Sequence, residues 1–171
     1  MNLLFTTQTA KTEVFDSVKN FLLEKGFNII KIDLERPWGG FFVIDESQAL
    51  AFKKEFFKDV IETNQDGNGK LSPKILIVEA NKRLSWQYHH RRSEIWKVIG
   101  GQVGVKRSDN DEEGSVENKK INDMISLRQG ERHRLIGLDS WGIIAEIWQH
   151  TDPGHPSDED DIVRVQDDFG R

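Results

Sequence analysis

From residue 74 onward the chain falls into short alternating runs punctuated by turn residues, and this constrains its fold more than any other feature. Segments 74–79, 83–90, 94–99, 102–106, 119–127, 132–136 and 141–149 read as β-strands. Strands this short bury their apolar faces only by closing on one another, which predicts a mainly β sandwich or barrel. Residues 108–114 are charged and turn-forming, and predict an exposed hairpin loop. The acidic tail, with Asp158 to Asp161 at its start, reads as solvated on composition alone.

The first part of the chain differs. In residues 9–25, Val14, Phe15, Val18, Phe21 and Leu22 recur at helical spacing, with Thr9 or Thr12 as candidate N-cap and Gly26 in the C′ position. Residues 27–34 then alternate as a strand, Ile30 and Ile32 sharing a face. Arg36-Pro37-Trp38-Gly39-Gly40 breaks it. That break reads equally as a simple turn with Trp38 in the core, or as a site where Arg36 and Trp38 border a ligand. After a strand at 41–44, residues 47–62 predict a second helix. Its apolar stripe is Leu50, Phe52, Phe56, Phe57, Val60 and Ile61, and Ser47 is its candidate N-cap. Asp66-Gly67-Asn68-Gly69 marks a loop that lacks the spacing and terminal glutamate of a calcium-binding EF-hand.

Composition narrows the chemistry. A length of 171 residues predicts one domain, and a formal charge of −5 argues against general nucleic-acid binding. Cysteine is absent, which removes disulfides, thiolate nucleophiles and Cys-ligated metals. The opening residues do not read as a signal peptide, and no apolar run approaches a membrane span, so a cytoplasmic location is expected.

Residues 84–101, LSWQYHHRRSEIWKVIGG, concentrate the candidate chemistry. As a strand, Leu84, Trp86 and Tyr88 share one face, expected to pack in the core. Ser85, Gln87 and His89 share the other. After a short turn at 91–93, a second strand puts Glu94, Trp96 and Val98 on one face. A hairpin here would carry Glu94 back over Gln87 and His89. His133, three residues after Gly130, adds a further imidazole. Neighbouring histidines alone more commonly serve a surface or core. Two imidazoles, a carboxylate and an amide oxygen together suit a divalent first-row metal.

These residues stand in an order that resembles the isomerase domain of the type II mannose-6-phosphate isomerases, a cupin family. The motif Leu-Ser-x-Gln-x-His-His-x-Arg-x-Glu-x-Trp stands as Leu84 to Trp96, with Gln87, His89, His90, Arg92 and Glu94 in register. A glycine three residues before a histidine matches Gly130 and His133. Arg-Pro-Trp-Gly matches Arg36 to Gly39. Glu-Asp-Asp-Ile-Val-Arg and Asp-x-Tyr-Gly-Arg match Glu159 to Arg164 and Asp167 to Arg171. The pattern departs at Ala80-Asn81 (for Pro-Gly), Arg128 (for Pro), Gly137 (for Asn) and Phe169 (for Tyr), none of them a proposed ligand. Asn tolerates the left-handed backbone that such a Pro-Gly turn uses.

The resemblance implies a cupin jelly-roll β-barrel over residues 36–171, with an N-terminal helix and strand in 1–35 and an inserted helix near 47–62. It implies metal ligands Gln87, His89, Glu94 and His133, with zinc expected first and manganese, iron, cobalt or nickel as alternatives. The activity implied is aldose–ketose isomerisation, mannose 6-phosphate to fructose 6-phosphate through an enediol. A metal would act as Lewis acid, and a base not identifiable from sequence would carry the proton. Arg92, Lys74 and Arg171 are the candidates for substrate charge, though each could equally be a salt-bridged side chain. A homodimer is compatible with the family. The nucleotidyltransferase half found in bifunctional relatives has no counterpart in these residues. Two other expectations stand beside the isomerase: a non-catalytic metal-binding cupin that takes a sugar or sugar phosphate, and another metal-dependent cupin enzyme. Cationic residues beside an open metal position would favour the isomerase.

Overall fold

The fold was analysed in a computed structural model, which describes residues 3–58 and 70–170. Among these, helix α1 (Lys11–Glu24) precedes strands β1 (Ile29–Asp33) and β2 (Gly39–Ile44). A short 3-10 turn (Glu46–Gln48) leads into α2 (Ala49–Phe56). Strands β3 (Leu71–Val78), β4 (Trp86–His89), β5 (Arg92–Gly100), β6 (Gln102–Ser108) and β7 (Glu117–Lys120) follow. The chain continues through β8 (Met124–Leu127), β9 (Arg132–Gly137), β10 (Gly142–His150) and β11 (Ile162–Gln166). They form two antiparallel sheets, ordered β1-β2-β3-β10-β5-β8 and β11-β4-β9-β6-β7.

The central strands of the larger sheet are buried on both faces. Phe41, Leu76, Trp96, Val98 and Ile144 point between the sheets, where they meet Val103, Val105 and Leu135 of the smaller sheet. Phe42, Ile75, Ile77, Ile95 and Ile147 point outward, where α1 and α2 cover them with Val14, Phe15, Leu22, Phe52 and Phe56. Strands covered on both sides lose the polar alternation of a half-exposed sheet. This explains the near-continuous apolar runs in β3 and β10. The helices thus seal the outside of the barrel wall and leave its interior to the site.

Helix α1 ends as expected. Gly26 takes φ +80°, the Phe27 amide donates to the Leu22 carbonyl at 3.0 Å, and that of Gly26 to Leu23 at 2.9 Å. This is the Schellman arrangement that glycine permits. Its start is a correction. Ala10 is the N-cap and offers no side chain, while the Thr9 hydroxyl accepts from the Thr6 amide instead. Ser47 does not cap the second helix: it lies in the 3-10 turn, which Asp45 caps by accepting from the Ser47 amide, and α2 follows Gln48 with no side-chain cap. That helix stops at Phe56, and Leu50 is 76 % exposed rather than part of the apolar stripe. Val60, Ile61 and the 66–69 loop lie outside the described residues.

Three further expectations change. The 119–127 segment is two strands in different sheets, β7 and β8, separated where Asn122 takes φ 76°. The acidic tail is solvated only in part: Asp158 to Asp160 are exposed, but Asp161 is 5 % exposed, and β11 pairs with β4 at the edge of the smaller sheet. Residues 84–100 are not a hairpin. β4 lies in one sheet and β5 in the other, so the chain turns a corner between the barrel's two walls.

Candidate metal centre

The corner is what assembles the site. His89 ends β4, Glu94 lies near the start of β5, and the two face each other across the barrel interior. His133 comes from β9, the neighbour of β4, directly opposite Gln87 in the strand register. His89, Glu94 and His133 are each 2 % exposed. One ligand-type atom from each lies within 4.8 Å of the others. The alternation predicted for β4 holds, but its outward face is not the barrel core. Trp86 is buried beneath the 108–114 loop and donates to the Asp111 carbonyl at 2.8 Å, while Tyr88 stacks under Arg132. His90 is exposed and takes no part.

Backbone carbonyls orient both imidazoles. His133 Nδ1 donates to the Glu131 carbonyl at 2.9 Å, and His89 Nδ1 to the Asp161 carbonyl at 3.3 Å. With Nδ1 engaged, each ring presents Nε2 to Glu94, at 3.2 Å from His89 and 3.6 Å from His133. His133 Nε2 is buried without a hydrogen-bond partner among the described residues. Burial pushes His133 down to about 4, against the pull of Glu94, so its ring is neutral at physiological pH. Burial raises the Glu94 carboxyl, but His89 and Arg92 outweigh it and hold Glu94 well below the ordinary range. Two imidazoles and one carboxylate, converging with the His133 Nε2 unpaired, fit a divalent cation. Gln87 lines the same cavity. Its Oε1 accepts from the Ser85 hydroxyl at 2.6 Å and keeps a second lone pair.

Arg92 was expected to meet substrate. It lines the cavity as a neighbour of the ligand-type residues. Its guanidinium donates to Glu94 at 2.7 Å, to His89 Nε2 at 3.1 Å and to the Ser157 hydroxyl at 2.8 Å, and stacks on Trp148 at 3.6 Å. Lys74 lies on the Trp148 ring, also at 3.6 Å, and pairs with Glu159 at 2.5 Å. Arg36 and Trp38 both line the cavity, where Arg36 is held by Asp33 at 2.9 Å. Arg171 lies outside the described residues.

The sequence reading missed Glu146. It sits on β10, directly opposite Trp96 and Lys74 in the sheet, and its side chain faces the cavity. Trp96 Nε1 donates to Glu146 at 2.9 Å and to Glu94 at 3.0 Å. Burial, with the charge of Glu94, pushes Glu146 up to about 8, against Lys74 and Arg92. The available signal was a lone charge inside the apolar run 142–148. Ser157 and Asp161 were missed as well. Asp161 accepts from the amides of His90 and Arg91 and from the Ser157 hydroxyl, which locks the tail over the corner.

An antiparallel two-sheet barrel with inward-facing histidines and a glutamate at one corner defines a cupin. The chain belongs to the family described as Mannose-6-phosphate isomerase C-terminal, whose model matches residues 59–167. Among curated proteins, it is 29 % identical over 136 residues to the xanthan biosynthesis protein XanB of Xanthomonas campestris pv. campestris, covering 80 % of this chain and 23 % of that one. It is 27 % identical over 139 residues to the mannose-1-phosphate guanylyltransferase ManC of Salmonella typhimurium, covering 81 % and 23 %. The chain thus spans under a quarter of the length of these relatives. Solved structures share the fold at lower identity. An oxalate decarboxylase formate complex from Lactobacillus farciminis aligns with TM-score 0.54 and 13 % identity over 78 % of this chain and 33 % of that one. KdgF from Halomonas sp. aligns with TM-score 0.52 and 11 % identity over 76 % and 89 %.

Proposed function

We propose that this cupin is a metal-dependent aldose–ketose isomerase of a phosphosugar, with mannose 6-phosphate the first substrate to test. One observation carries the reading: Glu94, the carboxylate of the His89–Glu94–His133 cluster, lines a cavity whose wall also holds cations and a raised carboxyl. The family description points to the same substrate.

A divalent ion held by His89, Glu94 and His133, with Gln87 as fourth donor, supplies Lewis-acid polarisation of a carbonyl when bound. Zinc is the first candidate for that ion. The remaining work falls to the chain. Lys74, fixed on Trp148, and Arg92, fixed between Trp148 and Glu94, provide positive charge for the phosphate. Glu146 is the group suited to carry a proton between neighbouring carbons, because it holds one near neutral pH and faces the cavity. The apolar walls, Trp38, Phe41 and Leu76 among them, keep bulk water from the sugar's reacting end.

The test is a coupled assay from mannose 6-phosphate to fructose 6-phosphate on metal-analysed protein, with Glu94→Gln and His133→Ala alongside. Metal-dependent turnover lost in both variants is the expected result. Bound metal without turnover on any phosphosugar would instead support a second reading, a metal-binding cupin that only binds its ligand.

A further inference from the structure

A side chain of the protein itself narrows the mouth of the cavity. Glu159 reaches from the tail across to β3 and accepts from Lys74 Nζ at 2.5 Å. Lys74 is nearly buried, at 8 % side-chain exposure, whereas Glu159 keeps 47 %. Both line the cavity, as do Arg36 and Arg92. With Glu159 in place the cavity measures about 60 Å³, room for roughly four water molecules and far too little for a hexose phosphate. Any sugar-sized ligand must move something, and the half-exposed carboxylate is the cheapest part to move.

The backbone around Glu159 is pinned while its side chain is not. Asp158 accepts from the amides of Asp160 and Asp161 and pairs with Arg91. Asp161 is tied to the amides of His90 and Arg91. Among the described residues, Lys74 is the one hydrogen-bond partner of the Glu159 carboxylate. A rotation of its side chain into solvent opens the mouth without breaking the latch beneath. Burial raises Glu159, but Lys74, then Arg92 and Arg36, hold it below the ordinary carboxylate range, so it stays anionic in this position.

We propose that Glu159 is a specificity-determining plug, whose carboxylate stands on Lys74 in the place of the ligand's anionic group and yields only to an incoming anion. A neutral sugar offers Lys74 nothing in exchange for Glu159. A phosphate monoester carries nearly two charges at pH 7 and outcompetes a single carboxylate for the same ammonium. The plug thereby converts a cationic pocket into one that discriminates phosphorylated from unphosphorylated sugars. The proposal deepens the isomerase reading and rests on its premise that the ligand carries a phosphate.

The test uses inorganic phosphate as probe, titrated calorimetrically into the full chain, with thermal midpoints recorded for every variant. Glu159→Gln is expected to tighten phosphate about tenfold, since it removes the competing charge and keeps the shape. Lys74→Met is expected to abolish binding, and Glu159→Gln in the Lys74→Met background to restore none of it. Glu159→Ala serves as the second variant and is expected to match Glu159→Gln. Unchanged or weaker phosphate binding in the folded Glu159 variants overturns the plug, as does a gain that persists without Lys74. Phosphate binding is read without turnover. A chain that behaves as expected here but isomerises no phosphosugar keeps the plug and loses the isomerase. Turnover with phosphate affinity indifferent to Glu159 does the reverse.

Discussion

Glu146 is buried beside Glu94, and the proton between them sets a testable pH dependence. From the ordinary carboxyl value of 4.5 up to about 8, the folded chain holds a proton on Glu146 that the unfolded chain has released. Stability from this group is full below pH 4.5 and declines as pH rises through 8, by on the order of a few kcal/mol. Glu146→Gln keeps an oxygen for Trp96 and carries no proton to lose. Urea denaturation of chelator-treated protein at pH 5 and pH 9 is expected to show a decline in the wild type that the variant lacks. Equal declines in both would remove Glu146 as its source. The cluster of His89, Glu94 and His133 was legible from sequence because a motif named its members, and strand alternation set His89 on one face with Gln87, which lines the cavity. Glu146 was not, because its partner Trp96 is fifty residues away, and nothing local distinguishes a carboxyl that will be dehydrated from one that will be solvated.

At the scale of elements, the tail and the corner hold each other. Asp161 satisfies two backbone amides at the turn between β4 and β5, while the Asp161 carbonyl orients His89. Asp161→Asn leaves a buried donor where an acceptor stood. It is expected to cost about 2 kcal/mol and to speed hydrogen exchange at the amides of His90 and Arg91. Unaltered exchange there would mean the latch does not hold the corner. Gly137, where the family pattern has asparagine, has an equally local reason. A Cβ on it would sit 2.0 Å from the Glu79 carbonyl oxygen, backbone that cannot rotate away. Gly137→Ala is expected to lose roughly 3 kcal/mol in urea denaturation, with a near-wild-type midpoint ruling out the clash. At nearby Asn81, φ 60° bears out the left-handed turn that asparagine tolerates. Strand existence was readable because turns and alternation are local. Sheet membership was not: which wall β4, β5, β7 and β8 join depends on pairing partners far away in sequence, so a corner was taken for a hairpin and two strands for one.

For the whole molecule, ligand linkage is the measurable consequence. A divalent ion that binds the folded chain and not the unfolded one raises the thermal midpoint, by about 2.7 kcal/mol in stability at a hundredfold excess over Kd. Zinc, manganese and cobalt titrations by scanning calorimetry are expected to show the rise in the wild type and none in His89→Ala. A rise that survives in that variant would locate the ion elsewhere. The effect should weaken as pH falls, since protons compete for the same imidazoles and carboxylate. The corner gives this a mechanical side. Glu94 is carried by one wall of the barrel, His89 and His133 by the other. An ion gripping all three works as a bolt through two plates. Either wall could still flex about that point, but sliding one past the other would have to shear the bolt, so the barrel would be stiffest along the direction in which its sheets otherwise slip most easily.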